Sequence, residues 1–166
     1  MVIVNPTTLV QATMDLRFLI MDAPSAESIH HYLAVMRAHG VTHLARICEL
    51  TYPEEEVINA GIKCYSLAYP DGDSPPQHVI DRWLDIVEEA RQQGGTIAVH
   101  CVAGLGRAPV LAAVAMIEKA GYDTLDAVDY IRSLRKGAIN RKQLEYLSNY
   151  KRRSKNKKAK CGCFGF

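Results

Sequence analysis

No stretch of the chain is apolar for long enough to cross a bilayer. The longest apolar run, residues 110–117, is under half of the roughly 20 residues a spanning helix needs. The first residues lack the basic, apolar and small-residue order of a secretory signal, so a reducing, intracellular setting is expected. Cysteines number five, Cys48, Cys64, Cys101, Cys161 and Cys163. An odd count without regular spacing argues against a disulfide framework, no CxxC pair points to zinc, and neither a metal nor an organic cofactor is expected. Aromatic residues make up 7% of the chain, and no basic face interleaved with them is legible, so nucleic-acid binding is not expected as the main function. Internal repeats are absent.

What is present describes one ordinary domain with an appendage. The 166 residues are 48% hydrophobic, enough to bury a core without staples. A net charge of +2 hides an asymmetry, because residues 151–160 (KRRSKNKKAK) carry seven of the 20 basic residues and no acidic one. The rest of the chain holds 13 basic side chains against 18 acidic. A mildly acidic domain over residues 1–150 and a polybasic tail over 151–166 follow.

Short runs rich in branched residues at 16–20 (LRFLI), 41–47 (VTHLARI), 62–69 (IKCYSLAY) and 96–100 (TIAVH) predict buried strands. Between them lie helical signals, from about Ser25 to Gly40 and from Val79 to Gly94, and three more follow: from Pro109 to Gly121, from near Asp123, and over 140–150. Residues 71–76 (DGDSPP) form a dense turn cluster. Alternating strands and helices imply an α/β fold: a mostly parallel sheet of four to five strands, with helices on both faces. Ligands of such sheets bind at the carboxyl ends of strands, which directs attention to the loop after His100.

That loop, residues 100–107 (HCVAGLGR), runs from a strand into a helix and contains Gly104 and Gly106. Glycines let a backbone curl until successive N–H groups converge, and the helix N-terminus adds a partial positive charge, so Val102, Ala103, Gly104, Leu105, Gly106 and Arg107 are expected to hold a phosphate. Arg107, six residues after Cys101, can offer two parallel donors to phosphate oxygens, a geometry lysine cannot reproduce. The same field favours a thiolate at Cys101, making the sulfur a nucleophile and a phosphocysteine its product. His100, at the strand end, is read as support for the loop.

Residues 99–110 (VHCVAGLGRAPV), 46–52 (RICELTY) and 137–144 (GAINRKQL), with the basic, cysteine-bearing C-terminus, resemble the PRL family of protein tyrosine phosphatases. The resemblance implies a dual-specificity-type fold, a phosphotyrosine protein as substrate, and slow turnover. Ala108 occupies the place where most cysteine phosphatases carry a hydroxyl that helps the thiolate leave the phosphoenzyme. It further implies a reversible disulfide between Cys48 and Cys101, a cyclin-M type magnesium transporter as a partner at the same pocket, and a homotrimer as an allowed assembly.

A carboxylic acid must protonate the leaving oxygen, and the 71–76 turn is where such enzymes place it. The PRL pattern has consecutive aspartates before glycine, whereas this chain reads Asp71-Gly72-Asp73. Asp71, which resembles the acid of dual-specificity loops reading Asp-Gly-x-x-Pro, is favoured, and Asp73 is the alternative. The terminal Cys163-Phe164-Gly165-Phe166 resembles a prenylation box. A prenyl group at Cys163, joined to the basic run, is expected to hold the protein on an anionic membrane surface, at the cytoplasmic face of the plasma or endosomal membrane. Nuclear import, or attraction to phosphoinositides without a lipid, are the other readings of the tail.

Overall fold

A computed structural model describes residues 1–153. The expected prenylation site, Cys163, lies outside the described residues. Five strands form one sheet in the order β1-β2-β5-β3-β4: β1 Thr8–Gln11, β2 Arg17–Met21, β3 Val41–Arg46, β4 Lys63–Ser66 and β5 Thr96–His100. All neighbours pair in parallel except β1, which runs antiparallel to β2. Six helices complete the fold: α1 Ile29–Ala38, α2 Glu54–Asn59, α3 Gln77–Gln92, α4 Arg107–Ala120, α5 Thr124–Leu134 and α6 Arg141–Ser148.

Strand alternation divides the core between the two faces of the sheet. Phe18, Ile20, Ala45, Ile47, Ile97 and Val99 point to one side and pack with the apolar residues of α3, α4 and α5. Their neighbours Leu19, Met21, Leu44 and Ala98 point to the other and meet Ile29, Leu33, Met36 and Val57 of α1 and α2. Central strand β5, between β2 and β3, is buried along its whole length. Such a doubly covered parallel strand requires an unbroken apolar run, which TIAVH supplies.

Two elements were not anticipated. β1 has four residues and only one of them, Val10, is fully buried. α2 has six, opening on Glu54, Glu55 and Glu56 after Pro53, a start signal with too short an apolar sequel to register as periodic. α4 begins at Arg107 with Pro109 in its first turn, as expected, and Gly121 ends it in the left-handed conformation at φ 71°. α6 is fixed by a capping box, in which Asn140 Oδ1 accepts from Gln143 N and Gln143 Oε1 accepts from Asn140 N, both at 2.9 Å.

Candidate active site

The loop from Cys101 to Gly106 joins the end of β5 to the start of α4. Its carbonyls are held from outside: Ala23 N donates to Val102 O (2.9 Å), Arg135 Nε to Gly104 O (2.8 Å) and Ile139 N to Leu105 O (2.8 Å). A trans peptide points its C=O and N–H in opposite directions, so anchoring these carbonyls turns the N–H groups of Ala103, Leu105 and Gly106 the other way. None of the N–H groups from Val102 to Gly106 has an acceptor among the described residues. A row of free donors around a cysteine at a helix N-terminus is an anion cradle.

Gly104 is required by its conformation and by close approach, whereas Gly106 lies against a side-chain amide. At Gly104, φ is +70° and a Cβ would lie 2.5 Å from Met21 O and 2.6 Å from an Arg135 terminal nitrogen. At Gly106, a Cβ would lie 2.7 Å from Gln143 Nε2. Neighbouring Ile139 also has a positive φ, 62°, an uncommon state for a β-branched residue. Arg132 donates to both Ala138 O and Ile139 O, and the Ile139 N bond to Leu105 O ties the strained turn to the loop.

Cys101 and Arg107 are 3% and 7% exposed. One terminal nitrogen of Arg107 donates to Ile47 O (3.0 Å) and Tyr69 O (2.9 Å), fixing the guanidinium to the segments that follow β3 and β4. Its Nε is buried without a hydrogen-bond partner and lies 3.7 Å from Asp71 Oδ1. A cavity of about 290 Å³ opens above Cys101, lined by the loop, Arg107, Asp71, Gly137, Asn140 and Gln143. Asp73 lines a separate, much smaller hollow with Tyr69, Pro75, Lys142 and Tyr146. Of the two candidate acids, only Asp71 faces the cysteine's cavity.

His100 is fully buried, and burial drives its pKa down to about 4, so the ring is neutral at pH 7. Tyr52 Oη, 2.7 Å from Nε2, donates to it, while Nδ1 is 3.2 Å from Cys101 O and donates there. The histidine is therefore scaffold that supports the loop. Cys48 Sγ lies 3.8 Å from the same Nδ1, and Ile47 N donates to His100 O at 2.9 Å, so the segments bearing Cys48 and Cys101 leave adjacent strands side by side. Burial pushes the Cys48 thiol up and that of Cys64 to about 12, leaving both protonated near neutrality. Cys48 forms part of a second cavity with Glu49, Pro70, Asp71 and Arg107.

Sequence reasoning missed Tyr52, Arg135, Asn140 and Gln143 as parts of the site. The last three lie in or beside the GAINRKQL segment, noted only for its resemblance.

Comparison with known proteins agrees with this geometry. A family model described as "Dual specificity phosphatase, catalytic domain" matches residues 25–153. "Probable protein tyrosine phosphatase type IVA A" of Dictyostelium discoideum is 44% identical over 154 residues, covering 92% of each chain. "Protein tyrosine phosphatase PRL-1" of Trypanosoma cruzi is 48% identical over 139 residues, covering 82% of this chain and 79% of that one. Among solved structures, a putative protein tyrosine phosphatase from Leishmania major matches with a TM-score of 0.79 and 40% identity, over 88% of this chain and 99% of that one.

Proposed function

Since the chain belongs to the PRL, or type IVA, family of protein tyrosine phosphatases and carries the dual specificity phosphatase catalytic domain, we propose that it hydrolyses phosphotyrosine in proteins through a phosphocysteine at Cys101. The Cys101 thiolate attacks phosphorus and the bond to the tyrosine oxygen breaks. Arg107 and the loop N–H groups hold the three non-bridging oxygens, and Asp71 gives its proton to the departing oxygen. Water then attacks the phosphocysteine, Asp71 takes a proton back, and inorganic phosphate leaves with the thiolate restored. The observation that carries this reading is the meeting of Cys101, Arg107, Asp71 and a row of free N–H groups around one cavity.

The acid assignment is tested with two variants and two substrates. Asp71→Asn is expected to slow hydrolysis of phosphotyrosine, a poor leaving group, by about 10²-fold or more, and to slow an activated aryl phosphate far less. Asp73→Asn should stay within about twofold of wild type, the size of a surface change. An inverted result would make Asp73 the acid.

Ala108 is completely buried beside the cysteine loop and brings no hydroxyl to it, which supports slow release of the phosphoenzyme. It also supports a second reading, in which the pocket serves mainly to engage a protein partner of the cyclin-M transporter type. Asp71→Asn that has lost turnover yet captures such a partner as well as wild type does would favour it; loss of both would count against it.

Cys48 is proposed as the resolving thiol when Cys101 is oxidised: its sulfur displaces hydroxide from a Cys101 sulfenic acid, giving a disulfide and water. The tail is proposed as a membrane anchor, lipidated at Cys163, with its seven basic residues each adding on the order of 1 kcal/mol near an anionic leaflet. In cell fractionation, Cys163→Ser should move the protein from membranes to the soluble fraction. An unchanged distribution would remove the lipid and leave electrostatics alone.

A further inference from the structure

Arg135 directly follows the last residue of α5, and it is not among the residues that line the cavity above Cys101. Its Nε donates to Gly104 O at 2.8 Å and one terminal nitrogen reaches Ala103 O at 3.5 Å. The other terminal nitrogen donates to Pro6 O and to Thr8 Oγ1, both at 3.0 Å. One side chain thus spans the loop and the N-terminal segment that enters β1. Gly104 is pressed between this guanidinium and Met21 O, with no room for a Cβ. Burial lowers the Arg135 pKa, while Asp22, Cys101 and Tyr32 pull it back upward.

We propose that Arg135 is a positioning residue for the phosphatase reaction. By taking the Ala103 and Gly104 carbonyls outward it turns the N–H groups of Gly104 and Leu105, the other halves of the same planar peptides, toward the sulfur and the phosphoryl oxygens. The fork also makes the N-terminal segment a buttress of the loop. Arg135 itself touches no reacting atom. The proposal rests on the phosphatase reading of Cys101.

Orthovanadate, a phosphate mimic, serves as the probe with the full chain. Arg135→Met is expected to fold, to bind vanadate about 30-fold more weakly, the loss of two hydrogen bonds, and to move upward the pH at which iodoacetamide half-inactivates Cys101. Arg135→Lys keeps the charge but cannot span both carbonyls, so it should restore the alkylation profile and leave most of the vanadate defect. Thr8→Val, which removes one acceptor on the far side, should change vanadate affinity by less than about threefold.

Vanadate affinity of Arg135→Met within about threefold of wild type would overturn the proposal, and so would full recovery by lysine, since charge alone would then suffice. Should Arg135→Met fail to fold, the lysine variant decides between the same two outcomes. Wild-type protein that neither binds vanadate nor is alkylated at Cys101 would instead defeat the phosphatase reading, which keeps the two failures apart.

Discussion

Serine in place of Cys101 is expected to leave a folded protein that still binds oxyanions and no longer turns over. The cradle does not depend on the sulfur: the free N–H groups of the loop and the Arg107 guanidinium remain in place. Oxygen and sulfur are close in size, so substitution at a 3% exposed site should cost little in packing. What disappears is the sulfur, a far better nucleophile than a hydroxyl. A hydroxyl has no imidazole to activate it, because His100 accepts from Tyr52 at Nε2 and donates to Cys101 O from Nδ1. A fall of about 10⁴-fold or more in turnover is expected, which corresponds to about 5 kcal/mol of lost barrier lowering.

Rapid mixing of wild type with a fluorogenic aryl phosphate should give a burst approaching one equivalent and then a slow steady rate, with neither phase in Cys101→Ser. Turnover without a burst would mean that forming the phosphocysteine, not releasing it, limits the rate, and would remove the role given to Ala108. Turnover undiminished in the serine variant would place the chemistry elsewhere. A second arm of the same experiment concerns Cys48. After brief peroxide, wild-type activity should return with a thiol reductant, whereas a Cys48→Ser variant should lose it for good as Cys101 proceeds to higher oxides.

The loop that cradles an anion was legible because its signal is local. Eight consecutive residues contain the strand end, Cys101, both glycines and Arg107, so the pattern is readable without any long-range contact. The sheet was legible for a related reason, since doubly buried strands such as β5 need unbroken apolar runs. Arg135 carries no comparable mark. In the sequence it is one basic residue among several near a helix end, and its meaning comes from acceptors 31 and 127 positions away. Tyr52 is likewise joined to His100 only across 48 residues. The choice between Asp71 and Asp73 depended on which side chain a turn directs into the Cys101 cavity, a matter of loop path on which two neighbouring aspartates look alike. Ile139 shows the limit most clearly, because nothing in its type announces a left-handed backbone, and the strain is held by Arg132 and by the bond to Leu105 O.

Arg107→Lys keeps the charge of the site and is still expected to lower kcat/KM by about 10³-fold or more, roughly 4 kcal/mol. The reason lies in how the guanidinium is divided. One terminal nitrogen is committed to Ile47 O and Tyr69 O, which locks the plane of the group, while Nε and the remaining terminal nitrogen are left for phosphate oxygens. An ammonium has three donors on a single atom. If it turns to the two carbonyls it abandons the phosphate, and if it turns to the phosphate it leaves two backbone acceptors unpaired in a buried place, each costing about 1–3 kcal/mol. The variant should therefore lose stability as well as activity, and addition of inorganic phosphate should stabilise it far less than it stabilises wild type in thermal unfolding. If Arg107→Lys instead kept wild-type kcat/KM, a point charge would be enough at this position and the fork would not be what selects arginine. If activity fell with no change in stability, the lysine would be pairing with the carbonyls, and the whole deficit would belong to the phosphoryl group in the transition state.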